Sequence, residues 1–330
     1  MSSSGSEAAA AAESYPVNGG DGTFSYKKNS SFQRASTNVA QATIDGVIAE
    51  KLDVERFSPA LTTFQIADLG CLSSQLPDFQ VLFNDHTSNG FNTLFASLPS
   101  ERPYYVAGMP GSFHGRLFPK ASLHFMHSFY ALHWLSKVPK ELVDPNSPAF
   151  NKGRVHYTSD PCEVSDAYTS QFAKDMVTFL HARGKDIASG GIMVLVMPRI
   201  ANDIPNSYAS SCIMFDLLGF SLMDMAKEVD SFNLPVYAPT PNEMTVLVES
   251  NGCFRHKVCT SGYFNIERTD LAALGSKIDD SVGGHTCMLH LRARMQGIIS
   301  KHFGSEIIND LFDHFLGKTK KFSNCLRCAW

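Results

Sequence analysis

Short uninterrupted apolar runs alternate along this chain with stretches whose apolar residues recur every three or four positions. Runs at 64–69 (FQIADL), 79–83 (FQVLF) and 104–107 each lead into glycine, proline or an Asn-Asp pair, the punctuation of strand ends. A fourth covers 123–132 (LHFMHSFYAL), and a fifth, 192–197 (IMVLVM), follows Gly190 and Gly191, read as the close of a preceding helix. Upstream of those glycines, Val164, Tyr168, Phe172, Met176 and Leu180 recur every fourth residue, one buried stripe of a long helix. Continuous apolar strands alternating with such helices predict an α/β fold built on a mostly parallel sheet.

From about residue 203 the pattern changes. Residues 213–226 are helical and rich in Met, Leu and Phe, and 229–241 form a Pro-rich connector. A helix is expected over 243–248, a short strand over 262–267, and a helix pair over 289–302 and 307–316. No internal repeat is visible. The expected organisation is a disordered N-terminus over 1–17, an α/β core over 18–202, and a mainly helical cap over 203–330 whose last elements return to the core.

Composition narrows the function classes. Hydrophobic residues make up 44% of the 330 and charged residues 18%, against about 25% charged in typical soluble domains, so a large core is expected. With 28 Lys and Arg against 32 Asp and Glu, the net charge is −4, which disfavours a nucleic-acid partner. No 18-residue apolar stretch occurs and the alanine-rich start lacks a basic lead, so neither membrane span nor secretory signal is expected and the chain reads as cytoplasmic. The eight cysteines are scattered, as suits reduced thiols. Cys325 and Cys328 form a C-x-x-C with His285 and Cys287 the nearest upstream donors, but a zinc site needs a second pair at ligand spacing, so incidental cysteines are the better reading.

Four tracts carry candidate chemistry. In I-A-D-L-G-C, a strand ends in Asp68 and Gly70 beside Cys71, where doubly wound folds present a nucleoside. In F-N-D-H, Asp85 at the next strand tip can accept from both ribose hydroxyls, or cap the following helix. The third is P-G-S-F-H-G-R-L-F-P over 110–119. The fourth, S-F-Y-A-L-H-W-L-S, offers the Tyr130 phenol, the His133 imidazole and the Trp134 indole, polar groups on flat apolar rings that suit a pocket wall.

These tracts, with G-G-x-G-x-x-S-Y-x-x-N-S-x-x-Q ending at Gln33, N-K-G-R from Asn151, D-S-F-N-L-P from Asp230 and H-F-G-S-E-I-I from His302, resemble in order the plant SABATH methyltransferases. That family methylates carboxylic acids such as salicylate, benzoate, jasmonate, indole-acetate and gibberellin, and purines of the caffeine pathway. The resemblance implies a Rossmann-like methyltransferase sheet under a helical cap, S-adenosylmethionine as methyl donor, a small carboxylic acid as acceptor (a purine being the alternative) and a homodimer. It implies donor contacts at Tyr26, Ser30, Asp68, Cys71, Asp85, Ser112 and Phe113, while His86 stands where the family usually has an apolar residue against the adenine. Gln33 and Trp134 match the groups that hold the substrate carboxylate, and Tyr130, His133, Met214 and Phe215 match other pocket positions. Asn151, Asp230, the Phe232 carbonyl and Asn233 match a Mg²⁺ site of some relatives, an oxygen set that suits a hard ion.

A carboxylate, with a pKa of about 4, is ionised at neutral pH, so the implied transfer needs no general base. The chain departs from the family after Cys71. Only 72–78 separate it from the F-Q-V-L-F run, where relatives have a crossover helix, and their Asn at the methionine end of the donor is missing. Parallel crossovers need a dozen or more residues, so no helix is expected there. A smaller shortening lies at 227–229. An uncovered first strand would expose several hundred Å² of apolar surface on the usual patch scale, and an impaired or inactive variant is the second reading.

Overall fold

In the computed structural model the described residues are 15–52, 57, 63–69, 79–87, 90–158, 162–200, 210–254 and 280–319. In chain order they form α1 (Tyr26–Asn29), α2 (Ser31–Lys51), β1 (Phe64–Leu69), β2 (Phe79–Asp85), α3 (Phe91–Ser97), β3 (Tyr104–Pro110), β4 (Leu123–Phe129), α4 (Cys162–Asp186), β5 (Ile187–Val196), α5 (Ser210–Met225), α6 (Pro241–Asn251), α7 (Asp280–Phe303) and α8 (Ile308–Thr319). The strands form one sheet in the order β3-β2-β1-β4-β5 with every pairing parallel. Reversal of strand order on either side of β1 is the doubly wound pattern, whose ligands sit at the carboxyl ends of the strands. The expected strand over 262–267, Cys325 and Cys328 lie outside the described residues.

One row across the sheet, Leu82, Ala67 and Met126 in register, is buried and packs with the α4 stripe of Val164, Tyr168, Phe172, Met176 and Leu180. The stripe read from the sequence is therefore the inner face of α4. The neighbouring row on the other face, Val81, Ile66, Phe125 and Ile192, belongs to neither core cluster, and all but Val81 are only half-buried. A second cluster unites α5, α7 and α8 with the segment carrying Phe232, Leu234 and Val236.

Residues 187–196 depart from the expectation. Gly190 and Gly191 do not end a helix. The helix stops at Asp186 and the strand begins with Ile187, with Ala121 and Ser122 donating to the Lys185 and Asp186 carbonyls at 2.9 Å each. Between the register pairs Leu123–Ile187 and Phe125–Ile192, five steps on β5 face two on β4, a bulge. Gly191 is required there, because a Cβ would lie 2.9 Å from the His124 carbonyl oxygen and 2.6 Å from Ile187 Cγ2.

β1 and β2 are adjacent and parallel, with Phe64 opposite Phe79 and Asp68 opposite Phe83. Nine residues, 70–78, connect them, below the dozen or more of a helical crossover.

Candidate active site

The carboxyl ends of the strands bring three of the four tracts together. Asp68 ends β1 beside Phe83 and His127; its side chain and all of Cys71 lie outside the described residues. Asp85 is exposed at the end of β2, its Oδ1 accepting the His86 N–H at 2.8 Å and its carbonyl accepting the Gly111 N–H at 2.9 Å. Asn84 donates its amide to the Met109 and Gly111 carbonyls at 2.6 and 3.0 Å, fastening the ends of β2 and β3. Gly111 has φ +144°, and a Cβ there would stand 2.8 Å from Leu117 Cδ2, so only glycine makes this turn.

Ser112 and Phe113 follow on a loop held from below. Arg183, fully buried on α4, donates to the Phe113 carbonyl at 2.9 Å, the Gly115 carbonyl at 2.7 Å and Asp186 Oδ2 at 2.7 Å. Arg116 donates to the other oxygen of Asp186 at 3.0 Å. At the end of β4, Ser128 Oγ is buried with no partner among the described residues, and Ser128 pairs in register with Leu69. An orphaned hydroxyl beside the ends of β1 and β4 fits a polar ligand lying across them.

The fourth tract leaves β4 through a strained residue. Tyr130 has φ 55°, a left-handed conformation that costs a bulky residue about 1–3 kcal/mol. Its N–H donates to the Val196 carbonyl at 2.8 Å, and its phenol hydrogen-bonds Ser36 of α2. Burial raises the pKa of this phenol and of Tyr26 above the usual range, so both stay protonated donors. Past it, Asp175 of α4 accepts from the Ser136 N–H at 2.8 Å and the Ser136 hydroxyl at 2.7 Å. His133 and Trp134 are thus held between two anchors. The Trp134 ring stacks on Tyr15, centroids 5.8 Å apart, and its backbone bridges to Val236.

The N-terminal motif reaches this place by docking on α7. Asn18 donates its N–H to the Ala293 carbonyl at 2.9 Å, and the Phe24 ring lies 3.6 Å below the Arg292 guanidinium. Ser30 is buried and its Oγ accepts from Arg34 at 2.9 Å. His290 Nδ1 lies 2.9 Å from the Asn29 carbonyl, which can only accept, so Nδ1 carries the proton. His290 Nε2 is then the acceptor for the Gln33 amide at 3.3 Å and Arg294 Nη1 at 3.5 Å. Arg294 Nη2 lies 2.7 Å from His133 Nε2, and its guanidinium sits 6.0 Å from the Trp134 ring centre.

A small cavity opens here, walled by His133, His156, Tyr157, Phe215, Tyr237 and Arg294. Burial lowers the His133 pKa well below 6.5, with Arg294 and His290 adding to it. Burial also brings His156 to about 3 and His290 to about 4. Phe215 meets the cavity and the His156 ring, 4.5 Å between centroids, whereas Met214 is buried in the cap cluster and does not wall it. Sequence reading passed over His156, Tyr157, Tyr237, His290 and Arg294. The last two stand four apart in L-H-L-R-A-R-M, polar positions on one face of a helix otherwise buried through Leu291 and Met295.

The residues matched to a Mg²⁺ site also meet. Asn151 donates its amide to Asn233 Oδ1 at 2.6 Å, and Asp230 Oδ1 accepts the Gly153 N–H at 2.6 Å. These bonds clamp residues 151–153 to 230–233 without an ion, and Asn151 Oδ1 alone of the pair's oxygens is orphaned. Among the described residues no three His, Cys, Asp or Glu converge on a metal position, and no helix is long and apolar enough to cross a membrane.

Comparison with known proteins accords with this geometry. The model of the family described as SAM dependent carboxyl methyltransferase matches residues 12–75 and 72–328, the two stretches meeting at the shortened β1–β2 connection. Loganic acid O-methyltransferase of Catharanthus roseus is 38% identical over 343 aligned positions, covering 92% of this chain and 87% of that protein. Caffeine synthase 3 of Camellia sinensis is 34% identical, covering 91% and 89%. A solved structure, loganic acid methyltransferase with SAH, superposes with a TM-score of 0.83 at 37% identity, covering 94% of each chain. Its sequence from end to end, its parallel sheet and its cap place this chain in the SAM-dependent carboxyl methyltransferase family, the SABATH enzymes.

Proposed function

We propose that the chain transfers a methyl group from S-adenosylmethionine to the carboxylate of a small plant metabolite, forming a methyl ester. The observation that carries the carboxylate over a purine is the state of the imidazoles that wall the cavity, His133 and His156, and of His290 beside Gln33. His133, His156 and His290 are all held neutral and weakly basic. N-methylation of a purine N–H must remove a proton, and these groups are poor acceptors for it; a carboxylate has none to lose.

When bound, S-adenosylmethionine supplies an electrophilic methyl that the carboxylate oxygen takes as the S–C bond breaks, with no proton exchanged. The donor site we assign comprises Tyr26, Ser30, Asp68, Cys71, Asp85, His86, Ser112 and Phe113, with Asp85 on the ribose and Ser128 Oγ as a further contact. Gln33 and Trp134 orient the acceptor carboxylate. One hydrogen of the Gln33 amide goes to His290, and the second remains to point at the acceptor. Tyr130, His133 and Phe215 shape the pocket, and Met214 supports Phe215 from the cap. The role of these groups is alignment at about 3–3.5 Å and exclusion of water. Asn151 Oδ1 and Asp230 would be the oxygen ligands for a Mg²⁺ ion there, which would strengthen a loop clamp and take no part in transfer.

The test is a radiolabelled-donor assay of the full chain across plant carboxylic acids and xanthines. Labelled methyl esters are expected. Label in xanthines alone would establish N-methylation instead. Folded protein that labels nothing would establish the inactive variant, the reading that the short β1–β2 connection favours.

A further inference from the structure

Arg294 is a partly buried cation with no counter-charge among the described residues. Among the described residues no carboxylate lies within ion-pair distance of it; it hydrogen-bonds His133 Nε2 and His290 Nε2. The other groups facing it are the Trp134 ring and the Tyr26 and Tyr130 phenols, which burial keeps protonated. The two histidine contacts are nitrogens of neutral rings, which accept a hydrogen bond and return no charge. A guanidinium cannot shed its proton to escape burial, and an uncompensated buried charge is costly. Arg294 also walls the cavity, so an anion entering the cavity would lie against it.

Its neighbour shows the same deficit. Because His133 Nε2 accepts from Arg294, the ring proton must sit on Nδ1. That Nδ1 is buried with no partner among the described residues, on a residue 4% exposed. A cation and an unpartnered N–H therefore stand together on one wall.

The reacting carboxylate is a poor candidate for this place. Methyl transfer removes its charge, so an ion pair with it would stabilise the ground state more than the transition state. Neutral donors such as Gln33 and Trp134 orient it without that penalty. Arg294 is better matched to a group whose charge survives the reaction.

We propose that Arg294 selects acceptors carrying a second anionic group, binding that group while the first carboxylate is methylated. The substrate class is a dicarboxylic acid or an equivalent dianion, and the product is the monoester, which keeps its remaining charge on Arg294. This assignment rests on the carboxyl methyltransferase reading above.

The test separates binding from turnover. Calorimetric titration of the full chain in the presence of SAH compares benzoate with the three benzenedicarboxylates, and hexanoate with adipate, for wild type, Arg294→Gln and Arg294→Lys. At least one diacid is expected to bind tenfold or more tightly than its monoacid. Arg294→Gln should erase that preference and Arg294→Lys retain part of it, with SAH affinity little changed; the Lys variant also serves if the Gln variant does not melt cooperatively. Equal binding of monoacids and diacids would overturn the proposal, as would a preference that survives Arg294→Gln. Loss of SAH affinity with the preference intact would reassign Arg294 to the donor's own carboxylate. A diacid preference without ester formation would sustain the Arg294 assignment and overturn the reaction instead.

Discussion

Arg183 and Asp186, three residues apart at the end of α4 and both with fully buried side chains, pair at 2.7 Å directly beneath the loop carrying Ser112 and Phe113. Removing one partner of a buried pair leaves the other charge stranded and costs about 3–5 kcal/mol. Asp186→Asn should therefore lower stability by that order and weaken SAH binding, since Arg183 also fixes the Phe113 and Gly115 carbonyls. Urea unfolding with SAH titration checks both; a variant as stable as wild type would show the pair to be dispensable.

Acid should destabilise the protein well before its carboxylates titrate. In the unfolded chain histidine titrates near 6.5, whereas burial holds native His156 at about 3 and His290 at about 4. Below about pH 6.5 the unfolded state takes up protons that the native state refuses. Stability is then complete above that pH and is lost on acidification, by about 1.4 kcal/mol per pH unit for each residue down to its native pKa. Melting temperatures between pH 7.5 and 5 should fall, and His156→Gln should flatten the slope. A melting temperature independent of pH over this range refutes it.

Trp134→Phe keeps an aromatic ring between Tyr15 and Arg294 and deletes the indole N–H. Turnover should fall with SAH affinity little changed, because what is lost is alignment of the acceptor. Unaltered kinetics would take the indole out of the mechanism.

Asp85→Ala should act on the other ligand. A charge-assisted hydrogen bond is worth about 1.5–3 kcal/mol, a tenfold to hundredfold loss, and the exposure of Asp85 before ligand binds puts the expected loss at the lower end. Calorimetry with SAH should show it while the acceptor KM stays near wild type. Wild-type SAH affinity would mean that the ribose is held elsewhere.

What the sequence made legible follows from locality. Strands β1 to β4 and the α4 stripe announce themselves because burial on one or both faces writes a period into neighbouring residues. Gly190 and Gly191 misled because glycine marks both a helix end and a strand bulge, and only the His124 carbonyl across the sheet decides between them. The Asp85, Ser112 and Trp134 tracts stood out as motifs, and the strand ends gather them. Arg294 and His290 did not, since their significance arises from Gln33 and His133, more than 150 positions away. A pairing between distant residues leaves no local period to read.

Lengthening the β1–β2 connection is the sharpest test of the shortened chain. Inserting a family-like segment of roughly 25 residues after Cys71, one loop and one crossover helix, gives the half-buried row at Ile66 and Phe125 a layer to pack against. The melting temperature and SAH affinity should both rise. If the chain as it stands already melts cooperatively and binds SAH at micromolar concentration, the short connection is sufficient and this prediction fails.

The nine-residue connection also bears on the order in which the sheet assembles. Parallel strands ordinarily meet late, because a long excursion must be closed before their contacts repay it. Here Phe64 and Phe79, opposite one another in register, are only 15 positions apart. Closure entropy grows by about 0.6 kcal/mol per doubling of loop length, so a connection some 25 residues longer would add about 1 kcal/mol to the barrier for pairing β1 with β2. The β1–β2 pair, on one side of the switch point between β1 and β4, is thus the cheapest in the sheet to bring together. This parallel pair, where we place the donor's nucleoside, is expected to form as a local nucleus, onto which β4, nearly sixty residues from β1, must later dock.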